Sequence, residues 1–295
     1  MKNQNENRIG YLLVALAAIL FAISGACAKA LFNAGITADQ LIQLRTTLAF
    51  MGLIVWLAIR YPGQLKISLK DLPYFICLGF FGIGAAQFFY LFAISKINVA
   101  AAILLHYTGP VFVALYTALI QRQRIGSKAL VAIAGTLAGS YLVVGAYDLE
   151  MLSLNRVGIL GGILAAVAFA AYSLLSAYGM KKYTPWTVVL YGMLFAALIW
   201  HILFPPMGAF RQAYTPIQWI WILFIGLGGT IVPFGLYFEG IKRIKPTHAS
   251  ITATLEPIAA GVIAAIFLGE LMAPLQIFGG MLVVISIVWL QISHS

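Results

Sequence analysis

Charged residues, cysteines and long polar loops are all scarce in this 295-residue sequence. Only 9% of the residues are charged and 62% are hydrophobic, whereas soluble domains carry roughly 25% charged residues. The two cysteines, Cys27 and Cys77, both lie in apolar stretches and provide no disulfide framework. The sequence has no nucleotide-binding loop, metal-ligand spacing or nucleophile motif. These absences argue against a soluble enzyme and against ATP hydrolysis by this chain, so we predict no cofactor, no metal and no ATPase subunit.

The sequence consists mostly of apolar runs of about 20 residues. An α-helix needs about this length to cross a hydrocarbon layer of about 30 Å. Short connections separate the runs, so no soluble domain is expected. We predict ten spans, at residues 9–31, 40–60, 72–94, 98–120, 128–146, 157–180, 186–204, 217–241, 246–268 and 272–291.

The two halves of the sequence repeat each other. Arg8–Ile9–Gly10 returns 148 positions later as Arg156–Val157–Gly158. At an offset of 147, several glycine, tyrosine and proline positions coincide: Gly79, Gly82, Tyr90 and Pro110 fall on Gly226, Gly229, Tyr237 and Pro257. A unit with five spans must enter the bilayer from opposite sides in its two copies. The predicted fold is therefore an all-α membrane protein with ten transmembrane helices as two inverted five-helix repeats, 1–146 and 156–295, joined by a periplasmic linker at 147–155.

The net charge of +10 is distributed unevenly along this topology. With the N-terminus inside, thirteen of the 18 Lys and Arg residues fall on the inner loops and termini, and only Lys29, Lys96, Arg156 and Arg211 fall near the outer ends. This bias follows the positive-inside rule and predicts that both termini are cytoplasmic. The basicity therefore indicates orientation, and no nucleic-acid partner is expected.

A family resemblance rests on motifs in both halves. The motifs are Thr254–Leu255–Glu256–Pro257, Leu268–Gly269–Glu270, Gln276 with Gly279–Gly280, and the run Arg45–Thr46–Thr47–Leu48–Ala49–Phe50. They resemble the EamA domain, the repeat unit of the drug/metabolite transporter superfamily, and two tandem copies cover the chain. The resemblance implies an exporter of small metabolites in the bacterial inner membrane, and amino-acid exporters, including aromatic amino-acid exporters of the YddG type, form a prominent subgroup. The first copy departs from the motif, because Thr108–Gly109–Pro110 replaces Leu–Glu–Pro.

Glu256 is the first candidate functional residue, since an ionisable group near the bilayer midplane costs at least about 2.5–3.5 kcal/mol and must face a cavity or a partner. It could bind a substrate ammonium or a proton, or simply hold a neighbouring helix by a hydrogen bond. Thr252 lies one turn earlier on the same face. His106 and Tyr107 stand beside the matching position of the first copy. His106 could couple protons to transport or donate to a backbone carbonyl.

Basic residues near the predicted outer ends form a second group of candidates. Lys29 is expected to extend its ammonium outward to the membrane surface. Arg45 lies five residues inside its span and keeps its charge, so it needs a partner. Asp39 is the structural candidate, and a substrate carboxylate or the outer gate is the functional one. His201 is predicted to be interfacial, and His248 lies near the inner surface.

The remaining candidates are polar residues that could line a cavity and small residues or prolines that could bend helices. The polar set is Gln87, Tyr90, Tyr172, Ser176 and Tyr237, and the set for bends or gates is Gly79, Gly82, Pro110, Gly226, Gly229, Pro233 and Pro257.

The predicted function is secondary transport: export of small amphipathic metabolites, with amino acids foremost, by alternating access around a site between the repeats. The partners are a small-molecule substrate, the lipid bilayer and, as a candidate coupling ion, the proton. Two alternatives stay open, namely an intramembrane enzyme that uses His106 and Glu256 as an acid–base pair, and a non-selective solute channel.

Overall fold

Helices form every regular element in the residues that the computed structural model describes, which are 4–120, 122, 126–143, 147–244, 252–253 and 255–293. The first half contains α1 (Gln4–Asn33), α2 (Ala38–Arg60), α3 (Leu72–Cys77), α4 (Ala85–Lys96), α5 (Val99–His106), α6 (Gly109–Leu119) and α7 (Ser127–Val143). The second half contains α8 (Leu149–Gly179), α9 (Pro185–Leu203), α10 (Pro216–Leu223), α11 (Ile231–Arg243), α12 (Leu255–Leu268) and α13 (Pro274–Ser293).

Among the described residues, six helical stretches are long and apolar enough to cross a membrane: Asn7–Asn33, Ala38–Arg60, Leu69–Lys96, Arg156–Ser176, Pro185–Leu203 and Pro216–Tyr237. Four shorter apolar helices complete the set: Val99–Val113, Leu130–Val143, Leu255–Leu268 and Pro274–Ser286. The predicted all-helical membrane architecture is confirmed for the described residues. That all ten segments cross the bilayer remains a prediction.

Two predicted spans contain a wider helical turn where glycines are concentrated. The third span passes from α3 to α4 through a π-helical segment, Leu78–Gly84, and the eighth passes from α10 towards α11 through another, Phe224–Gly228. In the second segment the Gly229 amide donates to the Phe224 carbonyl across five residues, at 2.6 Å. The two segments occupy equivalent repeat positions. Such bulges are often found at functional sites.

Two boundaries differ from the sequence prediction. The fourth span, expected to be continuous over 98–120, is divided at Tyr107–Thr108 between α5 and α6. Pro110 lies in the first turn of α6. Because proline lacks an amide hydrogen, it cannot donate to the carbonyl four residues earlier, and the helix restarts at Gly109. The linker expected at 147–155 is largely helical, since α8 already begins at Leu149.

Glycines set the close contacts between the halves, and these contacts come in equivalent pairs. A Cβ on Gly10 would lie 2.7 Å from Ile244 Cγ2, and a Cβ on Gly158 would lie 2.5 Å from Ile97 Cγ2. Gly10 and Gly158 are repeat mates, as are Ile244 and Ile97. Hence α1 packs on α11 as α8 packs on α4. Two copies related by a two-fold axis are expected to pack in this way.

The π-helical segments make the same type of paired contact with α2 and α9. A Cβ on Gly79 would lie 2.4 Å from Phe195 Cβ, and one on Gly226 would lie 2.8 Å from Leu48 Cβ. Phe195 and Leu48 are also repeat mates at the offset of 147. The largest apolar core includes residues of these elements, and Tyr90 of the candidate site packs against it.

Candidate substrate site

Glu256 lies at the start of α12 and is only 8% exposed. The hydroxyl of Tyr107, which caps the end of α5, lies 2.9 Å from Glu256 Oε2 and 2.9 Å from the Ala253 carbonyl oxygen. The break between α5 and α6 places this tyrosine where it can meet α12. A carboxylate of the second repeat is therefore held by a hydroxyl of the first.

Arg45 enters the same region from α2 and is 6% exposed. Its Nε donates to Thr230 Oγ1 at 3.0 Å, and that hydroxyl donates in turn to the Ile225 carbonyl at 2.8 Å. The π-helical turn makes the Ile225 carbonyl available to Thr230. Arg45 and Glu256 interact electrostatically, but no salt bridge joins Arg45 to a carboxylate within the part of the chain that is described. The guanidinium thus keeps hydrogen-bond donors that no carboxylate occupies.

Tyr90 of α4 completes this group, because its hydroxyl is close enough to Arg45 and Glu256 to interact electrostatically with both. Arg45, Tyr90, Tyr107, Thr230 and Glu256 form what we call the central polar cluster. It draws on α2, α4, α5, α11 and α12, so both repeats contribute.

His106 lies beside this cluster and does not pair with Glu256. Its ring packs between Phe169, at a centroid distance of 4.7 Å, and Tyr90, at 5.3 Å. Its Nδ1 atom is buried with no hydrogen-bond partner among the described residues. The hydrogen bonds to Glu256 come from the hydroxyls of Tyr107 and Tyr90. The direct pair of His106 and Glu256 considered for an intramembrane enzyme is not among these contacts.

The other polar candidates are dispersed around the cluster. Gln87 Nε2 lies 3.4 Å from Met193 Sδ, and Tyr172 packs on Gly82 with the buried Ser176 one turn beyond. Tyr237 packs against Val14 and Ile244 and interacts electrostatically with Tyr107.

Thr252 lies in the helical pair 252–253, one turn before Glu256. His248 lies outside the described residues. His201 is partly exposed, and its Nε2 lies 3.0 Å from Thr47 Oγ1.

The predicted bending residues lie at helix interruptions or first turns. Gly79 and Gly82 fall within the first π-helical segment, Gly226 falls within the second, and Gly229 follows it directly. The three prolines, Pro110, Pro233 and Pro257, lie in the first turns of α6, α11 and α12, where a missing amide hydrogen costs little. Their role as gates remains a prediction.

Two predictions about the basic residues are wrong. Lys29 does not extend outward: its side chain is 12% exposed, and Nζ donates to the carbonyls of Ile94 and Ile97 at 2.9 Å each. Asp39 is not the partner of Arg45, whose Nε is bound to Thr230, and instead lines a cleft of about 440 Å³.

Sequence reasoning also missed Thr230 and Glu270 as partners of buried cations. The repeat held a signal for Thr230, because a polar residue there replaces the apolar Ile83 of the first copy.

In the described part of the chain, six long and four shorter apolar helices make equivalent contacts between the two halves. These features define a helical membrane protein built from a repeat. The chain belongs to the EamA-like transporter family, whose model matches residues 8–145 and 156–292.

Similar proteins carry transporter names. An uncharacterized transporter of Archaeoglobus fulgidus is 31% identical over 67% of this chain and 69% of its own length. The uncharacterized inner membrane transporter YicL of Salmonella typhimurium is 27% identical over 97% and 96%. The threonine/homoserine exporter RhtA of Escherichia coli K12 is 28% identical over 90% and 85%. A crystal structure with 20% identity superposes with a TM-score of 0.62 over 96% of this chain and 97% of that chain, which supports the fold alone.

Proposed function

We propose that this protein exports small amphipathic metabolites, with amino acids as the substrate class, across the bacterial inner membrane by alternating access. The observation that carries the proposal is the pair of buried opposite charges, Arg45 and Glu256, which are not joined by a salt bridge. A zwitterionic amino acid offers one complementary charge to each. The aromatic hydroxyls of Tyr90 and Tyr107 suit a solute with both polar and apolar parts.

Physical chemistry favours a ligand at this position. A buried guanidinium without a carboxylate loses hydration and recovers little of it from one threonine hydroxyl. A substrate carboxylate would restore a charge-assisted and geometrically matched partner. Similarity to a protein named as a threonine/homoserine exporter supports the same substrate class.

The proposed topology has ten spans with both termini in the cytoplasm, so the linker after α7 faces the periplasm. Reporter fusions after Ser295 and within residues 62–70 should report a cytoplasmic location, and fusions within 148–154 a periplasmic one. A cytoplasmic signal from 148–154 would contradict the inverted five-plus-five arrangement.

Counterflow in proteoliposomes tests the substrate class directly. Purified protein is reconstituted with each of the twenty amino acids and common metabolites inside, and uptake of the labelled solute is followed. Saturable exchange of at least one amino acid without chemical change is expected. Conductance without saturation would indicate a channel, and product formation in detergent would indicate an enzyme.

Glu256→Gln tests the role of the carboxylate, because glutamine keeps the volume and loses the charge. Transport should fall sharply while folding and insertion persist. A raised half-saturation constant would indicate ammonium binding, whereas loss of pH-driven flux with surviving exchange would indicate proton coupling. Glu239→Gln is the matched control, since Glu239 pairs with Arg243 one turn away on a partly exposed surface. Normal flux and pH dependence in Glu256→Gln would remove Glu256 from the mechanism.

A further inference from the structure

The helices α5 and α12 form a pair that connects the central polar cluster to one end of the bundle. They come from different repeats, pack against each other and run in opposite directions. At the cluster, Tyr107 at the end of α5 is hydrogen-bonded to Glu256 at the start of α12. At the other end, the Val99 amide at the start of α5 donates to Glu270 Oε2 beyond α12, at 2.8 Å. The pair is therefore tied at both ends.

The distal tie also includes Lys29 of α1. Its Nζ lies 3.4 Å from Glu270 Oε1 and donates to the Ile94 and Ile97 carbonyls at the end of α4. The cation thus caps the negative end of one helix, and the anion caps the positive end of the next, as the helix dipoles favour. The two side chains are only 12% and 17% exposed, so solvent screens them less than a surface pair. We call Lys29, Glu270 and the backbone groups that they cap the distal lock.

The second repeat cannot build an equivalent lock at the opposite end of the bundle. The repeat mate of Lys29 is Ala177, which has no cation, and the mate of Glu270 is Gln123, which has no anion. Packing at the two ends is otherwise matched, since Gly158 meets Ile97 as Gly10 meets Ile244. The distal lock therefore adds charged contacts to a helix contact that Gly158 and Ile97 already make. Stability of this contact alone does not account for the lock.

We propose that Lys29 and Glu270 are positioning residues of the exit gate, and that they keep α5 and α12 together on the release side until substrate engages Glu256. Substrate binding at Glu256 weakens the bond to Tyr107 and leaves the distal lock as the remaining tie between the two helices. Release requires this lock to open. The inference rests on the proposed transport function and on the predicted topology, which places Glu270 at the periplasmic side.

A buried cysteine between the two helices measures gate opening. Ala264 of α12 is 1% exposed and lies in the same apolar cluster as Ala101 and Leu104 of α5. Ala264→Cys is introduced after Cys27 and Cys77 have been replaced by alanine. A membrane-impermeant thiol reagent is then added to right-side-out or to inside-out vesicles. In Lys29→Met and in Glu270→Gln, labelling in right-side-out vesicles should be at least ten times faster (a shift of about 1.4 kcal/mol in the opening equilibrium).

Lys96→Met is the matched control, because Lys96 lies at the same helix end with its Nζ 5.8 Å from the Phe92 ring and outside the lock. Its labelling rate should not change. The exchange variant Lys29→Glu with Glu270→Lys restores opposite charges but presents each to a helix end of the wrong sign, so labelling should stay fast. Thermal unfolding of each variant establishes that the protein is folded.

Two results would overturn the gate: unchanged labelling in both folded single variants, or faster labelling only in inside-out vesicles. Slow labelling in the exchange variant would support the gate and assign it to the ion pair without the helix-end contacts. The labelling assay needs no knowledge of the substrate. If the variants are labelled faster but counterflow detects no amino-acid exchange, the gate proposal is supported and the proposed substrate class is wrong. If amino acids are exchanged but the variants are labelled slowly, the gate proposal is wrong and the proposed function is supported.

Discussion

One joint of this molecule occurs twice, and its two versions differ in chemistry. In the first version Arg45 of α2 donates to Thr230, directly before α11, at 3.0 Å. At the offset of 147 their repeat mates are Gly192 of α9 and Ile83 of the first π-helical segment. A Cβ on Gly192 would lie 2.3 Å from Ile83 Cδ1, so this second pair is also in close contact. At the equivalent position, glycine and isoleucine are enough to pack the two helices together. The buried charge of Arg45 therefore serves something other than packing.

Converting the polar joint into its apolar counterpart should have the largest effect on transport. The variant Arg45→Gly with Thr230→Ile reproduces the second joint, and the helix should lose about 1 kcal/mol for the added glycine. Hydrogen bonds to charged groups contribute about 1.5–3 kcal/mol, so counterflow should weaken roughly ten- to a hundredfold. Flux in liposomes and thermal unfolding are measured together. Transport at the normal rate would show that the polar joint is merely tolerated.

A second pair of equivalent positions should differ in stability. Gly79→Ala places a methyl group 2.4 Å from Phe195 Cβ and 2.9 Å from the Ala196 amide nitrogen, so helix α9 must move. In Gly226→Ala the three atoms nearest to the new methyl group all belong to the side chain of Leu48, with the nearest at 2.8 Å, so the substitution should cost less. Overpacking of this kind costs about 1–3 kcal/mol.

Gly261→Ala serves as the control for both glycine variants, because the nearest atom, Ala100 Cβ, lies at 3.6 Å. Thermal unfolding in detergent should rank Gly79→Ala below Gly226→Ala, with Gly261→Ala unchanged. Equal melting temperatures for all three would contradict the paired contacts.

Tyr90 and Tyr237 are repeat mates, and substrate should protect them unequally. Tyr90 interacts with Arg45 and Glu256, whereas Tyr237 packs on Val14 and Ile244 and interacts with Tyr107. Tyr90→Cys should react with small thiol reagents and be protected several-fold by substrate, and Tyr237→Cys less so. If neither cysteine reacts in any state, both tyrosines are packing residues.

The smallest effect on stability is expected at the exposed ion pair between Lys182 and Asp71, which joins the two halves. Lys182 Nζ lies 2.5 Å from Asp71 Oδ2, and its side chain is 58% exposed. The hydrogen bond to Asp71 raises the pKa of Lys182, so any stabilisation is present at neutral pH and is lost only as the pH rises through that raised value. Lys182→Met should leave the melting temperature almost unchanged at pH 7. A fall of several degrees would show that this contact is more than a surface pair.

The sequence predicted the helical class and the repeat, because apolar length and internal similarity are one-dimensional signals. The role of Glu256 in transport stays a prediction. The sequence also placed Tyr107 beside the motif position matching Glu256, and these two residues are in contact. It failed for Lys29, since outward extension was inferred from depth alone. The helix end that Lys29 caps belongs to α4, 65 residues away at Ile94, and only interhelical packing brings the two together. Thr230 was missed for the same reason.

The winding of the two π-helical segments determines the orientation of the helical residues that follow them. A π turn takes in one extra residue, and one residue of α-helix corresponds to about 100° of rotation and 1.5 Å of rise. The direction in which Tyr90 projects is thus determined by the winding of Leu78–Gly84. Likewise, the carbonyl that Thr230 binds is exposed by the winding of Phe224–Gly228. Substitutions in these glycine-rich turns should therefore alter affinity at the central cluster without touching it, by rotating the residues that form it.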